Sequence, residues 1–174
     1  MVFLFTLTAL VASALGGLAD VRSLRIPNAY SAIVAVAFAA AYALSPASFQ
    51  PLKLHLVAAG IIFVVTLIMY AVKAFGAGDT KLASVLALWV GTKGLMVYLF
   101  YMALLGGVLG VAALVIRRRK LFTNAPDGSW ASQLHAGRNA VPYGVAISTA
   151  AWATLFHTGL INKQLHELFS LIGS

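Results

Sequence analysis

Six apolar segments alternate with polar connections along the chain. They cover residues 2–19, 29–44, 54–72, 80–90, 94–116 and 140–161. A membrane-spanning helix needs about 20 predominantly apolar residues, with a range of about 17 to 25. The fourth segment is the weakest, because Gly91 and Lys93 interrupt it, and it spans only if it borrows residues on both sides. The pattern predicts an all-α polytopic membrane protein with about six transmembrane helices, forming a single domain over residues 1–174.

The composition excludes an ordinary soluble domain. Hydrophobic residues make up 61% of the chain and charged residues 9%, whereas soluble domains carry about 25% charge. The net charge of +8 could indicate nucleic acid binding, but the basic residues lie between the apolar segments, where membrane topology explains them better. We therefore expect membrane lipids and no nucleic acid as partners. The chain has no cysteine, which excludes disulfides, thiolate metal sites and cysteine nucleophiles.

The distribution of basic residues predicts the orientation. If the N-terminus lies outside, the connections after the first, third and fifth segments hold nine of the twelve lysines and arginines. This is the positive-inside pattern, and it places both termini outside and those three connections in the cytoplasm. The longest connection, residues 117–139, is then a cytoplasmic loop, and residues 162–174 form a short segment at the outer interface. The nine are Arg22, Arg25, Lys73, Lys81, Arg117, Arg118, Arg119, Lys120 and Arg138; the other side has Lys53, Lys93 and Lys163.

Two of the four acidic residues, Asp20 and Asp79, lie at the ends of apolar segments. A charged side chain at membrane depth costs about 2.5 to 3.5 kcal/mol, so such a residue indicates a functional site. The predicted topology puts both carboxylates near the cytoplasmic boundary, which is necessary for them to meet. A pair at equal depth suggests acid–base chemistry.

Each aspartate also has a structural interpretation. Asp79 could be the N-cap of the fourth helix, accepting free backbone N–H groups, a role worth about 0.5 to 2 kcal/mol. Asp20 lies at the C-terminal end of the first helix, where the macrodipole disfavours an anion. It could still be a solvated helix end that pairs with Arg22 or Arg25.

Three ordered motifs carry a resemblance to a known family. They are Ala19-Asp20-Val21-Arg22 followed by Arg25-Ile26-Pro27-Asn28, then Gly76-Ala77-Gly78-Asp79-Thr80-Lys81-Leu82, and then Val141-Pro142-Tyr143-Gly144-Val145-Ala146-Ile147. With the six predicted helices, the chain resembles the GxGD-type intramembrane aspartyl peptidases, specifically the type IV prepilin peptidases. The likeness extends over nearly the whole chain.

The resemblance implies that Asp20 and Asp79 are the catalytic pair. If the two carboxylates meet, they share one proton, and such a pair needs no metal or other cofactor. It also implies a bacterial inner-membrane enzyme whose active site faces the cytoplasm and whose substrate is a prepilin-like protein, cleaved after a glycine at the end of a short basic leader. The absence of cysteine points to the short, peptidase-only kind associated with Flp/Tad-type pili, without N-methyltransferase activity. The motif and substrate-groove candidates are Arg25, Pro27, Asn28, Gly76, Gly78, Lys81, Pro142, Tyr143 and Gly144.

Other membrane proteins remain as alternatives. A zinc protease needs a His-Glu-x-x-His helix, but the histidines are scattered, and no Gly-x-Ser-Gly of the rhomboid type is present. A presenilin-like protease shares the GxGD motif, although the Pro-Tyr-Gly segment and the short chain disfavour it. A non-enzymatic transporter or assembly subunit could use Asp20 and Asp79 as a proton relay or cation site. The oligomeric state is open. The histidines are His55, His135, His157 and His166.

Overall fold

The computed structural model describes residues 2–122, 125–136 and 141–165, and this part of the chain is helical without a strand. The prediction of an all-α fold is therefore confirmed. A 3-10 turn, Pro46–Ser48, follows the second helix. The helices are α1 (Val2–Ser23), α2 (Asn28–Leu44), α3 (Leu52–Ala71), α4 (Ala77–Arg119), α5 (Trp130–His135) and α6 (Tyr143–His157).

Three of these helices begin directly after a proline: α2 after Pro27, α3 after Pro51 and α6 after Pro142. Proline has no N–H group, and the first N–H groups of a helix have no acceptor in the helix, so proline costs little at this position. Proline also keeps the preceding residue out of the α region. The polar connections therefore end at defined residues, and these helices begin within three residues of the predicted apolar segments.

The fourth and fifth predicted segments form one 43-residue element, α4, interrupted at Gly91, whose φ of 62° is not helical. The Tyr98 hydroxyl lies 3.5 Å from the Ala83 carbonyl oxygen, although the two residues are 15 positions apart. A straight helix would separate them by about 22 Å. The chain therefore reverses at Gly91, and the first arm, residues 77–90, lies beside the second arm, residues 92–119. The helix of the fourth apolar segment, residues 80–90, extends beyond that segment on its N-terminal side, because it starts at Ala77.

Antiparallel contacts between small residues hold α6 in place. Gly94 faces Thr154 and Gly106 faces Tyr143, which aligns the second arm of α4 with α6. Gly17 of α1 packs against the backbone of Gly144. Small residues allow helices to approach closely, which is how helices pack in membranes. The first arm of α4 lies at the centre of the bundle, and its largest fully buried side chains are Leu82, Leu86 and Trp89.

The described helices are those of a membrane protein. Three of them, α1, α3 and α4, are long and apolar enough to cross a bilayer, whereas α2 is apolar but shorter. Large apolar side chains such as Val36, Ile68 and Val111 are at least 60% exposed, which suits contact with lipid rather than water. The number of crossings and the side on which each terminus lies remain predictions.

Two of the predicted polar segments contain helix. The predicted cytoplasmic loop, residues 117–139, contains α5, whose N-cap Ser129 accepts the backbone N–H of Ser132 at 3.4 Å and whose Leu134 is buried. The apolar spacing in the predicted interfacial segment, residues 162–174, indicates a short helix. Residues 160–165 are helical after a turn at residues 158–159, and the Gln164 side chain is 2% exposed. Residues 166–174 lie outside the described part of the chain.

We expect a Gly91→Ala substitution to destabilise the protein. A Cβ atom at this position would clash with the Gln50 side-chain amide and lie 3.1 Å from the His55 ring, and the positive φ would add strain. A non-glycine residue held in a disfavoured backbone region costs about 1 to 3 kcal/mol. The thermal unfolding midpoint in detergent should fall accordingly.

Gly107→Ala is the matched control for this prediction, because Gly107 lies in the same helix and no atom lies within 4 Å of the added Cβ. Alanine is favoured over glycine inside a helix by up to about 1 kcal/mol. The control should keep or raise the midpoint. If the two variants unfold at the same temperature, the bend does not depend on glycine.

Candidate active site

Three helix ends meet at one end of the bundle. Asp20 lies in the last turn of α1, Asp79 in the first turn of α4 and Gly144 in the first turn of α6. The reversal at Gly91 sends the second arm of α4 back to this end, so that Gly106 reaches Tyr143. Asp20 and Asp79 line one cavity of about 520 Å³. The two aspartates, 59 positions apart in the sequence, thus share a site.

Asp20 is only 5% exposed, and its Oδ2 accepts a hydrogen bond from the Gly144 backbone N–H at 2.8 Å. The N-terminus of α6 carries a positive partial charge, which offsets the unfavourable field at the C-terminal end of α1. Arg22 and Arg25 are exposed and form no ion pair with Asp20 within the described residues. The interpretation of Asp20 as a solvated helix end paired with an arginine is therefore wrong.

Asp79 is 7% exposed. It is the third residue of α4, and Gly76 is the N-cap, so the interpretation of Asp79 as the N-cap residue is wrong. One oxygen still has a capping role, because Oδ2 accepts the Gly76 backbone N–H at 3.0 Å. The other oxygen, Oδ1, is buried without a hydrogen-bond partner in the described part of the chain. Leaving a buried polar atom unpaired costs about 1 to 3 kcal/mol. Helix capping therefore explains the position of only one of the two carboxyl oxygens.

Six of the candidate residues line the cavity with the two aspartates. Lys81 Nζ donates to Asn28 Oδ1 at 3.0 Å, and this bond joins the first turn of α4 to the first turn of α2. The first and second motifs of the sequence therefore form one wall. The six are Arg25, Pro27, Asn28, Gly76, Gly78 and Lys81.

Ile26 is a site residue that sequence reasoning missed. It is 9% exposed and lines the same cavity. A Cβ atom added to Gly78 would lie 3.0 Å from the Ile26 Cβ, and one added to Gly144 would lie 2.9 Å from the Ile26 Cδ1. Ile26 thus packs against a glycine of each of the other two motifs. A branched apolar side chain in the short connection between α1 and α2 could have indicated burial, but not the partners of Ile26.

Pro142 and Tyr143 do not line the cavity with the aspartates. Pro142 is buried, and the Tyr143 ring stacks on Phe75, with their centroids 4.9 Å apart. Tyr143 faces a separate cavity of about 340 Å³ that Lys73 also lines. Sequence reasoning missed Phe75, which precedes Gly76. The stacked pair attaches the connection before α4 to the start of α6, and this sets the position of Gly76 relative to Gly144.

The arrangement suits acid–base chemistry. The charged residues lining the cavity are Asp20, Asp79, Arg25 and Lys81. Two buried carboxyl groups that line one cavity hold one shared proton more readily than two negative charges. One carboxylate can then accept a proton from a water molecule while the other donates one. The described residues contain no group of three or more potential metal ligands.

Comparison with known proteins identifies the family of the chain. The sequence model of the type IV leader peptidase family matches residues 3–111. The match covers more than half of the chain and includes Asp20, Gly76, Gly78 and Asp79. No curated protein and no solved structure matches the chain.

Proposed function

Because the chain belongs to the type IV leader peptidase family, we propose that it is an intramembrane aspartyl endopeptidase that removes the leader peptide from prepilin-like precursors. The observation that carries this proposal is the pair of buried carboxylates, Asp20 and Asp79, which line one cavity at the ends of separate helices. Burying two carboxyl groups in a chain with only four acidic residues is costly. A catalytic role explains that cost.

In the proposed mechanism the two carboxyl groups have different roles. Asp20 is held by the Gly144 N–H at the N-terminus of α6. It is the general base that takes a proton from a water molecule while the oxygen of that water attacks the scissile carbonyl carbon. Asp79, whose Oδ1 has no partner in the described residues, carries the shared proton and donates it to the carbonyl oxygen. When the tetrahedral intermediate collapses, Asp20 returns its proton to the leaving nitrogen and Asp79 regains one from the hydroxyl group. The pair ends with the single proton with which it began.

The proposal extends to topology. We count the two arms of α4 as separate crossings, which gives six with α1, α2, α3 and α6. The end of the bundle with the aspartates faces the cytoplasm of a bacterial inner membrane, because the connections at that end carry nine of the twelve basic residues. A precursor with a basic leader and an apolar helix would reach the cavity from that side.

The proposed subtype is the short peptidase associated with Flp/Tad-type pili. It rests on the absence of cysteine from the sequence, since the larger prepilin peptidases that also methylate the new N-terminus carry Cys-x-x-Cys pairs. We therefore propose no N-methyltransferase activity. Pro142 and Tyr143 then act on the site by positioning the start of α6 rather than by binding the scissile bond.

A proton relay or cation site in a transporter or assembly subunit is the alternative. The unpartnered Asp79 Oδ1 would also suit a relay. The two functions differ in what accumulates when the protein is inactive. A peptidase leaves uncut precursor, whereas a relay leaves the precursor unaffected and stops flux or assembly.

The test is co-expression with a panel of Flp-type prepilins, followed by gels for precursor and mature forms and sequencing of the new N-terminus. We expect conversion to a shorter product that begins after a glycine and has an unmethylated N-terminus. A methylated product would refute the peptidase-only part alone. If the inserted protein leaves every precursor uncut while a known prepilin peptidase cuts them in the same cells, the proposed function is wrong.

A further inference from the structure

A cavity at the opposite end of the bundle from the aspartates, which we call the second cavity, is separate from those that Asp20 and Tyr143 line. Its volume is about 420 Å³, and it is bounded by the connection before α3, the bend in α4 and the residues after α6. Helix α6 has 15 residues and starts at the aspartate end, so the two sites are about 20 Å apart. The proposed peptidase chemistry does not use this cavity.

The walls of the second cavity are tied together by specific contacts. The Thr92 hydroxyl donates to Gln50 Oε1 at 3.0 Å, which joins the bend to the connection before α3. His55 is 2% exposed, and its Nδ1 is hydrogen-bonded to the Leu88 carbonyl oxygen. Gly91 leaves just enough room for Gln50 and the His55 ring. The cavity is therefore a consequence of how the bend is packed rather than a gap between mobile loops.

The charge of this cavity is positive. Lys93 and Lys163 line it, and none of its lining residues is acidic. Of the described acidic residues, Asp20 and Asp79 line the cavity at the far end, and Asp127 lies in the 117–139 segment. Glu167 lies outside the described part of the chain. Two lysines facing one cavity favour an anion such as a phosphate group.

An exposed apolar stripe begins at this cavity. Met96, Phe100 and Leu104 follow Lys93 at intervals of three and four residues, and their exposures are 77%, 62% and 51%. This spacing places them with Lys93 on one face of the second arm of α4. A headgroup bound at Lys93 would therefore have a track for an acyl chain that leads directly away from it.

We propose that this cavity binds the phosphate headgroup of an anionic phospholipid, with an acyl chain along the stripe of Met96, Phe100 and Leu104. Lys93 and Lys163 hold the phosphate, and the cavity walls of Phe49, Pro51 and Trp89 cover the glycerol region. Two lysine ammonium groups that face one pocket suit a phosphate headgroup, because each is a compact positive charge with several N–H donors. A free phosphate ion would bind the lysines but would gain nothing from the stripe, whereas a phospholipid would use both.

The test uses the purified full-length protein in detergent, with phosphatidylglycerol, phosphatidylcholine and inorganic phosphate as probes. Native mass spectrometry counts retained lipid, and the thermal unfolding midpoint reports binding. We expect phosphatidylglycerol to be retained and to raise the midpoint, and the other two probes to do neither at the same concentration. Lys93→Gln and Lys163→Gln should each weaken this binding about fivefold, and the double variant about 25-fold, because a lysine near anionic lipid contributes about that factor.

Lys53→Gln is the matched control, because Lys53 is exposed at the start of α3 near the same end but does not line the cavity. It should bind phosphatidylglycerol as the wild type does. The double variant Lys93→Arg and Lys163→Arg, which keeps both positive charges, should keep most of the affinity. Three results would overturn the proposal. These are equal binding of phosphatidylcholine, an equal effect of inorganic phosphate, and a loss in Lys53→Gln as large as in Lys93→Gln. None of these readouts depends on proteolysis, so the proposed function can fail or hold independently.

Discussion

Asp20→Asn and Asp79→Asn should each stop processing of a prepilin-like precursor, with a fall in rate of about 10²- to 10⁴-fold. Asparagine keeps the shape of the side chain but can neither accept a proton from water nor carry the shared proton. The two residues act as a unit, so the double variant should be no slower than the slower single variant. Precursor and mature forms on a gel, followed over time at equal membrane levels of enzyme, measure the effect.

Asp127→Asn is the control for this pair, because Asp127 is an exposed acid in the 117–139 segment, away from the cavity. It should process the precursor at the wild-type rate. If an aspartate variant is inserted normally and still cuts at near the wild-type rate, the two-aspartate mechanism is wrong. If the wild type cuts nothing and the aspartate variants stop proton or cation flux, the relay interpretation replaces it.

Gly144→Ala should lower the processing rate by about 10- to 100-fold while the fold persists. The added Cβ would lie 3.1 Å from Asp20 Oδ2 and 2.9 Å from the Ile26 Cδ1, so the carboxylate must move away from the Gly144 N–H that holds it. Displacing a reacting group by about 1 Å can cost about 10²-fold in rate. Because Gly144 holds the proposed base and does not itself line the cavity, the loss should fall on kcat more than on KM.

Gly60→Ala provides the comparison for Gly144→Ala, since no atom lies within 4 Å of a Cβ added to Gly60 in α3. Both variants should be inserted and should unfold cooperatively, and only Gly144→Ala should lose activity. Equal processing by the two variants would show that contact between Gly144 and Asp20 does not position the base. Loss of insertion in Gly144→Ala would instead show that the close packing of α1 and α6 is needed for folding.

The helices could be predicted from the sequence because their causes are local. Segment length and hydropathy identify the apolar helices, and Pro27, Pro51 and Pro142 mark where three of them begin. The reversal at Gly91 was visible only as an interruption, because one glycine in a sequence does not show whether a helix bends, ends or turns back. Helix α5 was missed, since a short helix within a polar connection has no periodic apolar pattern to indicate it.

For the site, too, some features could be predicted from the sequence and others could not. The sequence alone determined that Asp20 and Asp79 lie at the ends of apolar segments and within motifs of a peptidase family, because cost of burial, segment position and motif order are all properties of the linear chain. Only the tertiary structure decided that Asp20 is held by Gly144 rather than by Arg22 or Arg25, and that Ile26 packs against both Gly78 and Gly144. Those contacts join helices that are far apart in the chain, and which helix faces which is set by how their side chains pack together in three dimensions.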